Sequence, residues 1–508
     1  DRNGEVRMSS AIQTDPATIV IFGGSGDLSK RKLVPALFEL HREKQLPPAT
    51  AIVGYARTGE SDETYRAEMK AAVAEFARTK PIDETDWNAF ASRLHFFRGD
   101  LMIPKNFANL KTRLETIEKE RGLSGNRLYY LAIPPSAIGG VVSNLGEAGF
   151  VYQVDGGPWS RVIVEKPFGR DLETARALNE ELAQVFRERQ IFRIDHYLGK
   201  ETTQNILVLR LGNGIFEPLW NRRYVDHVQI TVAESIGIEN RGKFYEEAGV
   251  LRDIIQNHVL QLLCLVAMEP PVAFDPDAVR GEKVKVLRSI QPQSAEEILR
   301  DSVRGQYGPG AVDGQAVVGY RAEKDVNPMS LRETYAAWKI QIENWRWAGV
   351  PFYLRAGKRL QKRVTEIAIQ FKTPPIALFR RVGVTRQEPN VLVLRIQPDE
   401  GIALKFGAKV PGPVTKVDPV TMNFRYSEFF GASQPEAYER LLMDAIHGDS
   451  TLFARRDEVE AAWEHVTPVL DVWRDNPPVD HPNYEAGTWG PDASVALLAR
   501  DGRSWRRP

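Results

Sequence analysis

From Ala17 to Asp195, short apolar runs alternate with longer segments whose apolar residues recur at helical spacing. The runs Thr18–Phe22, Ala51–Gly54, Leu94–Phe97, Leu128–Ile133, Val162–Val164 and Ile191–Ile194 predict strands, and Tyr65–Thr79, Phe107–Arg121, Ala137–Ala148 and Leu172–Arg187 predict helices. Strands that alternate with helices imply parallel crossovers, hence a doubly wound α/β sheet. After Gly199 the pattern lengthens into period-two alternation at Asn205–Leu211, Val225–Val232, Trp338–Glu343, Thr365–Phe371, Val391–Ile396 and Ile402–Phe406. That pattern predicts a second, mostly antiparallel sheet with one face buried and the other exposed or covered by helices. The change of rhythm places a boundary near residue 200, giving domains 11–200 and 201–508. Neither an internal repeat nor a low-complexity linker separates them.

Composition alters this picture little but removes several function classes. A chain of 508 residues is too long for one core, and its 43% hydrophobic and 26% charged content is that of ordinary globular domains. Lys plus Arg and Asp plus Glu balance at 67 each, so no general basic field favours nucleic acid. The single cysteine, Cys264, excludes an intramolecular disulfide framework and a multi-cysteine metal site. No metal site is expected. No apolar run approaches the ~20 residues of a membrane span and no secretory leader is evident, so a cytoplasmic protein without membrane partners is expected.

Candidate chemistry begins where the first strand runs into Gly23-Gly24-Ser25-Gly26-Asp27-Leu28-Ser29. Glycines after a strand let the backbone approach a pyrophosphate, whose charge is then met by the amides of a helix start. Ser29 stands where a third glycine belongs, so a simple turn is the competing reading. The second strand ends in Gly54-Tyr55-Ala56-Arg57, where an NAD enzyme places an acid; Arg57 suits a 2′-phosphate, against the plain alternative of a solvated arginine. Glu165-Lys166-Pro167-Phe168-Gly169 puts a lysine at a strand's carboxyl end, where open α/β sheets bind ligands, although such lysines are also often merely solvated. In Arg193-Ile194-Asp195-His196-Tyr197-Leu198-Gly199-Lys200, a helix would bring His196 and Lys200 to one face as a phosphate grip; a capped helix start has equal weight. His258 falls on the apolar stripe of Leu251, Ile254, Ile255, Leu262, Leu265 and Val266. It is either a core histidine or, with a carboxylate partner, a tuned base.

Together these stretches, in this order, resemble glucose-6-phosphate dehydrogenase. Arg193 to Glu201 (R-I-D-H-Y-L-G-K-E) is the most specific, and the likeness continues through Arg252 to His258, Gly349-Val350-Pro351-Phe352, Arg355-Ala356-Gly357-Lys358 and Glu436-Ala437-Tyr438-Glu439-Arg440-Leu441. The resemblance implies a Rossmann-type N-terminal domain and an α+β C-terminal domain with a large, mostly antiparallel sheet used in dimerisation, hence a homodimer or homotetramer. It implies hydride transfer from C1 of glucose 6-phosphate to NADP, giving 6-phosphoglucono-lactone, the first step of the oxidative pentose phosphate pathway. His258 would be the base and Asp195 its orienting partner. His196, Tyr197 and Lys200 would hold the 6-phosphate; Glu234 and Asp253 would bind sugar hydroxyls; Lys32, Lys166, Lys358, Arg363 and Gln397 would complete the pocket. Gly23, Ser25, Gly26, Asp27, Leu28, Arg57, Tyr130 and Lys166 would face the coenzyme. Two rivals are an oxidoreductase of unphosphorylated sugar, opposed by the three-residue phosphate grip, and a silent NADPH sensor, opposed by the retention of Asp195 and His258.

Overall fold

The computed structural model describes residues 15–59, 61–152, 156–376, 378, 388–413, 415–431 and 435–508. The chain forms two compact units, and they are interleaved rather than contiguous. The first comprises the chain up to Lys166 with Ala177–His196 and Pro435–Arg455; the second comprises Pro167–Arg176, Tyr197–Gln434 and Arg456–Pro508. The sequence reading of 11–200 and 201–508 contains neither the short excursion at 167–176 nor the return at 435–455.

The first unit is built on strands β1 (Thr18–Phe22), β2 (Ala51–Ala56), β3 (Leu94–Arg98), β4 (Arg127–Leu131), β5 (Ser160–Val164) and β6 (Ile191–Ile194). They pair in parallel in the order β6-β5-β4-β1-β2-β3. Strands β1, β2 and β4 are buried along their whole length, which is why they read as continuous apolar runs. The helices Asp62–Phe76, Pro104–Arg121 and Ile138–Glu147 follow the sequence pattern, and their ends are set by local chemistry. Ser61 accepts from the Thr64 amide at the start of the first, and Gly122 closes the second at φ 67°. Strand order reverses between β1 and β4, so the crevice in which such sheets bind ligands lies at the end of β1. A late two-residue strand, Phe453–Ala454, adds antiparallel to β6, which is how the returning segment enters the sheet.

The second unit contains an eight-stranded sheet. Its strands, numbered on from β6, are β7 (Val225–Ala233), β8 (Ser302–Gly305), the short β9 (Tyr307–Gly308), β10 (Gly310–Val312) and β11 (Gln315–Val317) outside the main sheet, then β12 (Tyr335–Gln341), β13 (Pro351–Gly357), β14 (Val364–Phe371), β15 (Val391–Gln397), β16 (Gly401–Lys409) and β17 (Val417–Arg425). The order is β17-β16-β15-β14-β7-β13-β12-β8, antiparallel throughout except for β7 with β13. At the centre the second face is covered rather than exposed, and β13 and most of β14 are wholly buried. A helical run, Gly242–Ala267, packs on β7 and β13. The chain end covers other positions: Gln229 exchanges hydrogen bonds with the backbone of Ser504 and Arg506, and Arg355 donates to the Arg506 carbonyl.

Two expectations are corrected. Asn205–Leu211, expected as a strand, belongs to the helix Glu201–Leu211; Thr203, Ile206 and Arg210 are buried at helical spacing, and so short an apolar run does not distinguish the two periods. The run Gly242–Ala267 has the length and apolarity of a membrane span, but 89% of its most apolar window is buried inside the protein, as in a core helix.

Candidate active site

In the first unit the glycine turn is required by geometry. Gly23 has φ 86°, and a Cβ there would sit 2.1 Å from the Ala132 carbonyl oxygen beyond β4; a Cβ on Gly24 would sit 2.5 Å from Gly54 Cα. The amides of Gly23 and Gly24 both donate to the Tyr55 carbonyl, at 2.9 and 3.0 Å, and Gly26 donates back to Gly23. These glycines therefore set the shape of the turn. Ser25, Gly26, Asp27 and Leu28 follow at the opening of the next helix, Gly26 and Asp27 exposed. That helix passes through a π-helical stretch, Ser29–Leu33, before becoming regular at Val34. Lys32 lies in the π stretch, where its ammonium pairs with Glu436 at 2.9 Å. Arg57 is exposed one residue beyond β2. The glycines let the turn pack against the backbone of Ala132 and Gly54, and this turn, with Arg57 at the neighbouring strand end, is where a dinucleotide would be held.

Tyr130, expected against the coenzyme, is fully buried on β4, and its hydroxyl donates to Glu165 at 2.5 Å. Burial pushes the Glu165 carboxyl above the usual range, while the Tyr130 and Tyr438 hydroxyls and Lys166 oppose that rise. Lys166 ends the first segment of that unit, partly exposed, before Pro167. The rest of that motif is structural and lies in the second unit. The Phe168 carbonyl accepts from Trp463, and the Arg170 carbonyl accepts from Arg252, both at 2.8 Å.

Asp195 (buried) and His196 (partly buried) close the first unit after β6. The helical i,i+4 reading of His196 and Lys200 is corrected. Residues 196–199 form turns, and Lys200 is the extended N-cap (ψ 135°) of the helix that follows.

In the second unit Tyr197 is the hub. Its ring stacks on His258 with centroids 4.2 Å apart and planes 20° apart, and the Lys200 ammonium sits 4.9 Å over the same ring. Gln397, at the end of β15, donates through Nε2 to the Tyr197 hydroxyl and to Thr365, both at 3.1 Å, and its Oε1 accepts from Lys200. Tyr197, Lys200, His258 and Gln397 thus form one cluster, and sequence reasoning missed its fifth member, the buried Thr365. His258 belongs to a π-helical segment, Leu251–Val259, entered through a kink at Gly249 (φ 67°), where a Cβ would meet Glu333 at 2.1 Å. The wider π turn re-aims side chains that a regular helix would keep in register.

A second group surrounds Tyr245. Lys358 is buried, pairs with Glu234 and lies 5.6 Å from the Tyr245 ring centroid. Burial, then the negative charges of Asp253 and Glu234, push the Tyr245 hydroxyl far above the usual phenol range. Its oxygen is buried without a hydrogen-bond partner among the described residues. Tyr245 was also missed; an aromatic residue in an amphipathic helix carries no sequence signal that separates it from core. Arg363 is exposed just before β14.

A parallel sheet of this order, with a glycine turn after its first strand, is the architecture of dinucleotide-binding domains. Comparison with known proteins narrows the class. Residues 20–205 match the family description "Glucose-6-phosphate dehydrogenase, NAD binding domain", and residues 207–506 match "Glucose-6-phosphate dehydrogenase, C-terminal domain". The chain belongs to the glucose-6-phosphate dehydrogenase family. It is 50% identical over 503 residues to the glucose-6-phosphate 1-dehydrogenase of Chlamydia pneumoniae, covering 98% of both chains, and 48% identical to that of Mycolicibacterium smegmatis, covering 97% of both. Among solved structures, a glucose-6-phosphate dehydrogenase in complex with its substrate glucose 6-phosphate superposes with a TM-score of 0.87 at 40% identity, covering 98% of this chain and all of that one.

Proposed function

We propose that the chain oxidises glucose 6-phosphate at C1 to 6-phosphoglucono-lactone, with NADP as hydride acceptor. The observation that carries this reading is the Tyr197 cluster: a buried histidine stacked on a phenol that also binds a lysine and a glutamine. Lys200 and Tyr197, with His196, hold the phosphate, whose charge an ammonium and hydroxyl donors satisfy. Glu234, Asp253 and Lys358 bind sugar hydroxyls, while Lys32, Lys166, Arg363 and Gln397 complete the pocket. His258 takes the proton of the C1 hydroxyl as C–H cleavage begins, and Asp195 orients the imidazole and stabilises its cation. NADP, when bound, supplies the acceptor carbon for the hydride. Gly23, Ser25, Gly26, Asp27, Leu28, Tyr130 and Lys166 would face it, and Arg57 would receive the 2′-phosphate. The test is absorbance at 340 nm with glucose 6-phosphate or glucose crossed with NADP or NAD. Turnover confined to glucose 6-phosphate with NADP preferred supports the reading, and turnover confined to free glucose overturns it.

A homo-oligomer formed through the second sheet follows from β17. Among the described residues this nine-residue edge strand pairs on one side only, to β16, and is exposed along its middle. Met422 (62% exposed), Phe429 (67%) and Phe430 (71%) stand in the same region, an apolar patch and free edge of the kind a second copy covers. Cytoplasmic residence is proposed on the composition, since Cys264 is buried and the chain has no second cysteine to form a disulfide with it.

A further inference from the structure

The motif Glu436-Ala437-Tyr438-Glu439-Arg440-Leu441 has no part in the chemistry assigned above, yet it lies in the segment that returns to the first unit. It opens the helix Ala437–His447, whose capping box uses Glu436 and Glu439. Two of its side chains reach the helix after the glycine turn and the end of β5, and a third reaches Arg78, beyond the helix Asp62–Phe76. Glu436 pairs with Lys32 at 2.9 Å. Glu439 accepts from Arg78 at 3.0 Å, and the same guanidinium also pairs with Glu43. Tyr438 donates its hydroxyl to Glu165 at 3.2 Å, to the same carboxylate oxygen that accepts from Tyr130 at 2.5 Å.

We propose that Tyr438 is a positioning residue that sets the direction of Lys166 by holding, together with Tyr130, the carboxylate of Glu165. The inference rests on the reading of Lys166 as a ligand-binding residue. Its physical basis is local. Beyond the end of an extended strand, neighbouring side chains leave the backbone on opposite sides, so anchoring Glu165 fixes where Lys166 starts. Pro167 restricts Lys166 from the other side, because the residue before a proline is confined to extended conformations. A carboxylate held by one phenol can pivot about that bond. A second phenol from another element removes the freedom, and charge-assisted bonds of this kind are the strong ones. The groups facing this carboxylate are Tyr130 from β4, Tyr438 from the returning helix and Lys166 itself, with Asp195 and Glu436 acting in turn on Tyr438.

The experiment is a double-mutant cycle of Tyr438→Phe and Lys166→Ala in the full-length chain, with kcat and KM measured for glucose 6-phosphate and NADP. Tyr438→Phe is expected to lower kcat/KM about five- to tenfold, in the same parameter that Lys166→Ala affects, and to have less than a twofold effect once Lys166 is alanine. Tyr130→Phe, acting through the same oxygen, is expected to behave likewise, and thermal melting checks that each variant is folded. An undiminished effect of Tyr438→Phe in the Lys166→Ala background would overturn the positioning role alone. Wild-type kinetics in Lys166→Ala would overturn the reading of Lys166 and the positioning role with it.

Discussion

The glycine turn of the first unit and the Tyr197 cluster of the second prepare for ligands in opposite ways. The turn works through missing side chains: Gly23 and Gly24 lie where any Cβ would strike Ala132 or Gly54, and their amides are bound to Tyr55. The cluster works through side chains that hold one another. His258 is stacked on Tyr197, Lys200 is bound to Gln397, and Gln397 bridges Tyr197 and Thr365. A backbone cradle tolerates substitution at its exposed rim but not at its glycines, whereas in a preorganised cluster each side chain is a point of failure.

The largest effect is expected at the centre of the cluster. His258→Asn should lower turnover by ~10²–10⁴ with the fold intact by circular dichroism and glucose 6-phosphate binding retained. Asp195→Asn should cost less, and the double mutant should fall far short of the product of the two, as steady-state rates would reveal. Next, Lys200→Ala should raise the KM for glucose 6-phosphate roughly 10- to 100-fold while sparing slow turnover of free glucose. A proportional loss on both sugars would remove Lys200 from the phosphate. At the rim of the turn, Arg57→Ala should weaken NADP by about one to two orders of magnitude and leave NAD nearly unchanged, as coenzyme titrations would read. Equal losses would make Arg57 a folding residue.

The smallest effect concerns stability in the second unit. Burial pulls His481 from its ordinary 6.5 down to about 4. The unfolded chain then binds a proton that the folded chain refuses between those values, so this contribution is complete above about pH 6.5 and is lost as pH falls towards 4. Urea midpoints should fall over that window, and His481→Gln should flatten the fall. An unchanged slope would mean that other groups govern it.

How much of this was legible follows from the same contrast. The six parallel strands of the first sheet and its glycine turn were readable because they depend on runs and spacings within about ten residues. Arg57 was readable because a strand end fixes its place. Four members of the Tyr197 cluster were named as one site only through the family resemblance and Thr365 not at all, since Gln397 and Thr365 meet Tyr197 across 200 and 168 residues and only the pairing of β14 with β15 brings them together. For His196 and Lys200 the spacing left a shared helical face and a capped helix start equally open, and only the fold decides between them: the chain turns at 196–199 and Lys200 is the N-cap of the following helix. The buried phenol of Tyr245 and the hold of Tyr438 on Glu165 have no signature in local pattern at all.

The most direct measurement follows the hydrogen on C1. With glucose 6-phosphate deuterated at C1 and NADP in ordinary water, deuterium should be recovered at C4 of the reduced nicotinamide, and unlabelled substrate in heavy water should place none there. Loss of the label to water, or reduced coenzyme free of deuterium, would contradict direct hydride transfer from C1.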